Sequence, residues 1–427
     1  MIPLIKNCNS DYSIVISEKP SKSQRWAANQ LQKYLKEISS VEIPIKERST
    51  ISDRKTIILG NDEALLSSYL SQEELESLGI EGFHIKTIKD TLIIAGSEIR
   101  GTIYGVFSFL EAYLNCRFYS PNFEKIPKMS SITLPEIDDK QLPDFDYRLV
   151  TYMNLMEPHS SAKLKCNMNF FSEEKYGGSF KFSMQHMTHT FYQLIPPAKY
   201  YQDHPEYFAL VNGKRQSFDA QLCLTNPNVI DISIQRVKKW IENDPYSRSF
   251  GIVQNDVDRY CRCDKCKALD EKEDSHAGSL LYFVNNIAQA IKEDYPDKFI
   301  HTIAYTYTEK PPKIIKPEEN VIVVVCNMYP ICLNHSIQTC PKNARFKRHL
   351  NGWLQLTENV LVWHYITDFK HYVLPFPNFS ALAEDLAYYK NIGVKGFLGQ
   401  AGFTDEQEFQ NLRNYYLLKL CWNVQTT

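Results

Sequence analysis

A chain of 427 residues is too long for one ordinary hydrophobic core, so the expected division is two domains, or a small domain followed by a barrel of roughly 250 residues. With 43% hydrophobic and 13% aromatic residues it is not a disordered chain, and 48 basic against 50 acidic side chains provide no field to recruit nucleic acid or an anionic membrane. No stretch reaches the roughly 18 consecutive apolar residues that span a bilayer, and MIPLIKNCNSDYS has neither the basic nor the apolar region of a signal peptide.

The first strand, DYSIVIS, is followed by SEKPSKSQRWAANQLQKYLKEIS, in which Trp26, Leu31, Leu35 and Ile38 recur at helical spacing behind Ser and Pro start signals. The apolar run KTIILG, the alternating pair FHIKTI and TLIIAGS, and a second helix, RGTIYGVFSFLEAYL, complete a small α/β unit with a mixed sheet. The stretch PNFEKIPKMSSITLPEIDDKQLPD holds four prolines and little periodicity, which places a domain boundary near residue 140. Residues 1–140 are then a small α/β domain and residues 141–427 a second domain.

Beyond the boundary the units lengthen. YRLVTYM (147–153), SFGIVQ (249–254), FIHTIAYT (299–306), VIVVV (321–325), VLVWHY (360–365) and VKGFLG (394–399) read as strands, with helical patterns between most of them. Alternation of this kind predicts a parallel sheet, and the count favours a (β/α)8 TIM-type barrel whose two unseen strands fall between 160 and 225.

In such a barrel the chemistry lies at the C-terminal ends of strands. The richest end is SFGIVQNDVDRYCRCDKC, where an apolar strand runs into Gln254, Asn255, Asp256 and Asp258. Glycosidic cleavage needs a proton donor at the leaving oxygen and a second group that stabilises the oxocarbenium-like centre or orients an internal nucleophile. An amide beside a carboxylate, Asn255 beside Asp256, suits assistance by the sugar's own N-acetyl group; the plainer alternative is a capping turn. His189 is a candidate hydrogen-bond partner for a sugar hydroxyl, and His186 beside it lacks a third ligand for a metal. Tyr305 and Tyr307 are expected on one side of their strand, as a stacking platform or as core. Trp363, Tyr365 and Asp368 surround a further strand end, as a subsite or as packing.

Eleven cysteines are an odd number and do not look like the framework of a disulfide scaffold. Cys261, Cys263 and Cys266 have a C-x-C-x2-C spacing that holds zinc only with a fourth ligand, which Cys223, Cys326 or His276 could supply in space. A loop disulfide such as Cys261 to Cys266, or free thiols, is the default, so no metal and no cofactor is expected.

The front unit, with SEKPSKSQRWAANQLQKYL and LIIAGSEIRGTIYGVFSFLEAYLNCRFYSP, resembles the non-catalytic domain that precedes the barrel in β-hexosaminidases and α-glucuronidases. The remainder, from HPEYFALVNGKRQ and QLCLTNP through QNDVDRYCRCDKC, AYTYTEKPPK, PFPNF and GVKGFLGQ, is similar to the bacterial family once catalogued as domain of unknown function 4838, now glycoside hydrolase family 163. That resemblance implies an endo-β-N-acetylglucosaminidase releasing complex N-glycans from glycoproteins, typical of gut Bacteroidetes and exported to the periplasm or cell surface. Its partner is an oligosaccharide or a glycoprotein glycan. Gln254, Asn255 and Asp256 match the family's Q-N-D strand end, and Tyr260, Cys261, Cys263 and Cys266 its Y-C-x-C-x2-C.

Two departures matter. The family's G-V-K-G-x-x-E-Q-G becomes GVKGFLGQA, with Gly399 in place of a Glu and Ala401 in place of a Gly, and its W-D-Y-x-T-N-F becomes Trp363, His364, Tyr365, Thr367, Asp368 and Phe369. A carboxylate missing at position 399 removes a general acid that Glu406 or Glu408 replaces only if its loop folds back. Relatives usually continue into another domain beyond LLKLCWNVQTT. Three readings follow: a glycosidase with Asp256 and Asn255 as catalytic residues, a catalytically impaired carbohydrate-binding relative, and an α-glucuronidase-like exo-enzyme. The last needs a basic residue for the uronate, for which Arg259 is the candidate.

Overall fold

The structure, a computed structural model, describes all residues except 51–54, 98, 170, 172, 179–181, 328–330, 405 and 427. The chain forms two compact units, one of residues 1–144, 150–179 and 402–427 and the other of residues 145–149 and 180–401.

In the first unit β1 (Ser13–Ile16) leads to α1 (Lys22–Ser39), β2 (Ile45–Glu47), β3 (Thr56–Gly60), β4 (Phe83–Ile88), β5 (Thr91–Gly96), α2 (Gly101–Leu114) and β6 (Asp138–Gln141). Helix α1 starts at a capping box, in which Ser21 and Gln24 each satisfy the other's backbone N–H, and buries the Ala27, Leu31, Leu35 and Ile38 stripe. The strands assemble in the order β6-β4-β5-β3-β1-β2, a mixed sheet with an antiparallel β4/β5 hairpin. Two segments beyond residue 140 cluster with this unit, residues 150–179 and residues 402–427. For the second the reason is apolar: Trp422, at the end of the helix Gln410–Trp422, stacks on Phe83 at 5.7 Å and meets Tyr104 edge-on at 5.4 Å.

The second unit contains β7 (Tyr147–Val150), α3 (Pro227–Asn243), β8 (Ser249–Gly251), α4 (Asp264–Glu273), α5 (Ala277–Asp294), β9 (Phe299–Ala304), β10 (Val321–Cys326), α6 (Ala344–Leu354), β11 (Val360–Tyr365), α7 (Phe379–Asn391) and β12 (Gly396–Gln400). Its sheet runs β7-β12-β11-β10-β9-β8, and every pair from β8 to β12 is parallel. All six residues of β10 are buried, as a strand covered on both faces requires. The sheet is curled, because its two edges share one residue: Phe182 bridges to Ser249 of β8 while its ring stacks on Tyr147 of β7 at 6.2 Å. Phe182 is an isolated bridge residue within the 160–225 stretch where two strands are expected. Among the described residues of that stretch, the only paired strands are the short hairpin of Leu210–Val211 with Lys214–Arg215.

His301 pins this seam. It is 1% exposed, its Nε2–H donates to the Met187 carbonyl (2.9 Å), and its Nδ1 therefore accepts from the Ser249 hydroxyl (2.8 Å), with Phe182 stacked at 4.3 Å. Burial lowers its pKa from 6.5 to about 4, so the folded chain holds it neutral. The unfolded chain binds this proton more readily, so the stabilisation is complete above pH 6.5 and is lost as the pH falls toward 4. Taking the pH from 7 to 5 is expected to cost about 2 kcal/mol through this residue, and urea unfolding of wild type and His301→Gln at both values will test it. An equal pH dependence in the two proteins would contradict the assignment.

Candidate functional site

The strand end after β8 is organised by amides. Gln254 is fully buried, and its Nε2 donates to the Ile303 carbonyl (3.1 Å) and to Thr308 Oγ1 (2.8 Å), bracing the end of β9. Asn255 is held by residues far upstream. Its backbone N–H donates to Gln221 Oε1 (2.9 Å) and its Nδ2 to the Ala220 carbonyl (2.8 Å), while Gln221 Nε2 returns bonds to the carbonyls of Asn255 (2.8 Å) and Val257 (2.6 Å). Gln221 is itself fully buried and went unread in the sequence; an uncharged polar residue in the apolar QLCL run was its only signal.

This clamp leaves Asp256 exposed at the tip of the strand, where its Oδ1 accepts from the Tyr305 hydroxyl at 2.8 Å. Burial, and then this bond to Asp256, hold the Tyr305 phenol well above its ordinary pKa, so it stays a donor. His189, at a left-handed φ of 53°, turns its Nδ1 to the Gln254 carbonyl (2.9 Å) and brings its ring to 6.4 Å from that of Tyr305. A carbonyl only accepts, so Nδ1 carries the proton and Nε2 is left for a ligand.

Tyr365 borders the same place. Burial first, then Cys326, Tyr305 and Asp256, push its phenol far up. Its backbone N–H donates to Asn327 Oδ1 at 2.9 Å, and Asn327, fully buried, has an Nδ2 with no partner among the described residues. Trp363 is half-buried and donates from Nε1 to Gln400 Oε1 at 2.6 Å. Asp368 accepts from the Lys370 backbone N–H at 2.9 Å, a local turn bond.

Tyr305 and Tyr307 do not share a side. The strand stops at Ala304, and Thr306–Thr308 is a 3-10 turn in which Tyr305 N–H donates to Thr308 Oγ1 at 3.1 Å. Tyr307 is thereby directed to Tyr260, stacked at 5.2 Å, in a separate hollow of about 620 Å³ lined also by Asp270, His276 and Lys310. Asp256 does not line that hollow, but Asp258 raises the phenols of both Tyr305 and Tyr307, so the two aromatic patches are neighbours. Glu309, the half-buried carboxylate that ends this turn, is tied to Arg345 Nη2 (2.8 Å) and His349 Nδ1 (3.0 Å).

Residues 118–427 match the family described as Domain of unknown function (DUF4838). The chain belongs to that family. Residues 6–109 match the Glycosyl hydrolase family 67 N-terminus. Over 84 residues the chain is 34% identical to the probable alpha-glucuronidase A of Aspergillus oryzae, a match covering 20% of this chain and 10% of that protein. The chain thus spans only a small part of the curated relative it matches.

The fold is that of glycoside hydrolases. A GH115 4-O-methyl-alpha-glucuronidase with specificity for decorated arabinogalactans superposes with a TM-score of 0.57 at 13% identity, over 99% of this chain and 57% of that one. A GH20 beta-N-acetylhexosaminidase from Streptomyces coelicolor A3(2) gives 0.53 at 10% identity, over 98% and 88%.

For a DUF4838 member, the exchange at position 399 carries less chemistry than its position suggests. Gly399 is in register with His364, and Phe397 lies two residues before it on the same face. His364 is fully buried, bonded through Nδ1 to the Tyr389 hydroxyl of α7 (3.0 Å), with its pKa lowered to about 3 by burial. That face looks to the helices, whereas Trp363, Tyr365 and Gln400 lie on the side of Asp256. A Cβ on Gly399 would stand 2.9 Å from Phe397 Cε1 and 3.3 Å from Ile366 Cδ1. Gly399→Glu is therefore expected to give no gain in activity and to cost about 1 to 3 kcal/mol of stability. A tenfold rise in kcat in that variant would show that the position does reach the site.

Proposed function

We propose that this chain is a glycoside hydrolase of the endo-β-N-acetylglucosaminidase class, acting on the glycan of a glycoprotein or on the free oligosaccharide. The observation that carries the reading is the exposed Asp256 carboxylate at a strand end, oriented by the Tyr305 hydroxyl and bordered by the rings of Tyr305 and Tyr365. In substrate assistance the acetamido oxygen of the sugar attacks the anomeric carbon as the glycosidic C–O bond breaks. Positive charge then develops on the acetamido group, and its N–H needs an ionised acceptor. Tyr305 engages one Asp256 oxygen and leaves the other for that N–H. Asn255 acts by fixing the backbone from which Asp256 projects. His189 presents Nε2 outward from its anchored ring and, when protonated, donates to the leaving oxygen.

The neighbouring hollow around Tyr260 and Tyr307 supports an endo-acting enzyme, because it extends the aromatic surface beyond a single sugar ring. The α-glucuronidase reading is less favoured, since the Arg259 guanidinium pairs with Asp219 at 3.2 Å. Our reading includes closure of the curled sheet as an eight-stranded barrel, and action in the periplasm or at the surface of a bacterial cell.

Incubation with a complex-type glycoprotein and mass spectrometry of the supernatant tests it. Free glycans ending in one N-acetylglucosamine are the expected product. Binding without release would mean a lectin-like relative, and release of a uronic acid from a decorated polysaccharide would mean a glucuronidase. His189→Gln should slow cleavage of the natural glycan more than that of an aryl glycoside, whose leaving group needs little protonation.

A further inference from the structure

We infer that Cys223, Cys261, Cys263 and Cys266 form a closed structural site for one zinc ion, which fastens the loop before α3 to the loop that follows Asp256. The four Sγ atoms all lie within 4.8 Å of one another, and none is in a disulfide. Cys223 and Cys263 are 3.6 Å apart, much too far for an S–S bond. Tetrahedral Zn–S bonds of about 2.3 Å place their sulfur atoms about 3.8 Å from one another, close to the 3.6 Å between Cys223 and Cys263 and within the 4.8 Å limit of the whole set.

The surroundings fit thiolates. Cys261 Sγ receives the Leu210 backbone N–H (3.3 Å) and Arg215 Nη1 (3.7 Å), and Thr225 Oγ1 lies 3.2 Å from Cys266 Sγ. Donors placed around the sulfur atoms in this way offset the negative charge of thiolates and fix their orientation toward a metal. Cys223, Cys261 and Cys266 are buried, at 4%, 5% and 1% exposure, in a small cluster with Ala209 and Ala220. Four sulfur ligands complete the tetrahedron, so no position remains for a water or a substrate, and the metal is not a catalytic one.

The sequence spacing displays three of these ligands and leaves the fourth to the fold. Gln221 N–H donates to the Arg259 carbonyl (3.0 Å) and Arg262 N–H to the Leu210 carbonyl (2.9 Å), a pairing that draws Cys223 against the C-x-C-x2-C loop. The same pairing contains the Gln221 clamp on Asn255, so the metal stiffens the strand end that carries Asp256. The site itself stands whether or not the chain cleaves sugars.

The test is metal content, then spectroscopy, on the full 427-residue chain expressed with zinc and purified without chelator. About one zinc per chain is expected, with the four thiols protected from alkylation until a chelator or mercurial releases the ion. Replacement by cobalt should give the thiolate charge-transfer and intense d–d bands of a tetrahedral sulfur site. Cys223→Ser and Cys263→Ser should each lower zinc to less than about a tenth of an equivalent and abolish the bands. Cys340→Ser should leave both unchanged, which separates this site from the partly exposed group of Cys332, His335 and Cys340. The inference is overturned if the reduced wild-type chain contains no zinc and gives no cobalt spectrum. Disulfides among the four cysteines in the purified protein, or bands lost only with Cys340→Ser, overturn it equally.

Discussion

Replacing Asp256 by Asn should lower kcat on a glycan substrate by at least about 10²-fold, some 3 kcal/mol of transition-state stabilisation, and leave KM within a few-fold. The substitution keeps the shape and the bond from Tyr305, because the amide oxygen still accepts from the phenol. It removes only the negative charge, and that charge has a task only once the acetamido group becomes cationic. The side chain is exposed, so stability should change by less than about 0.5 kcal/mol. Tyr305→Phe, which keeps the charge and loses its orienting donor, should cost nearer tenfold. The two effects separate charge from positioning. Wild-type kcat in Asp256→Asn, with the protein folded and glycan released, would move the chemistry away from this strand end altogether.

That strand end was legible because its signal is local: an apolar run ending in Gln254, Asn255 and Asp256 is a contrast within one short segment. The parallel strands were legible for a similar reason, since Val321–Cys326, buried on both faces, opens with five β-branched residues in a row. What the sequence concealed depends on distant residues or on where a strand stops. Gln221 orients Asn255 from another loop, and nothing near Asn255 in the chain implies it. The pairing of Tyr305 with Tyr307 assumed a strand continuing past Ala304, but Thr308 captures the Tyr305 N–H and folds the backbone into a 3-10 turn. The bridge of Phe182 to Ser249 at the edge of the curled sheet is a single residue, too short for any period to declare. By sequence Gly399 and His364 are losses from the site, and only the register between β11 and β12 reveals that both belong to the helix-facing side. The division near residue 140 likewise missed the helix Gln410–Trp422, whose partners Phe83 and Tyr104 lie far back in the chain.

Arg100→Met is expected to destabilise the first unit by about 3 to 5 kcal/mol, the largest stability effect of any single exchange proposed for this chain. Arg100 Nε bonds to Glu81 Oε1 with both side chains 3% exposed, and its Nη1 donates to the Gly177 carbonyl at 2.7 Å. Asn167 Nδ2 reaches the other Glu81 oxygen at 3.0 Å. The pair therefore joins the start of α2 to the 150–179 segment, whose described residues contribute no strand to the sheet of this unit. Removing the guanidinium takes this counter-charge from a desolvated carboxylate, a cost that exceeds the net worth of the intact pair. The test is a double-mutant cycle followed by urea unfolding. Glu81→Leu combined with Arg100→Met should recover most of the loss, because two apolar side chains of similar volume need no counter-charge. Destabilisation by Arg100→Met that is unchanged in the double variant would place the cost in the lost Gly177 bond and in packing, and not in the buried charge.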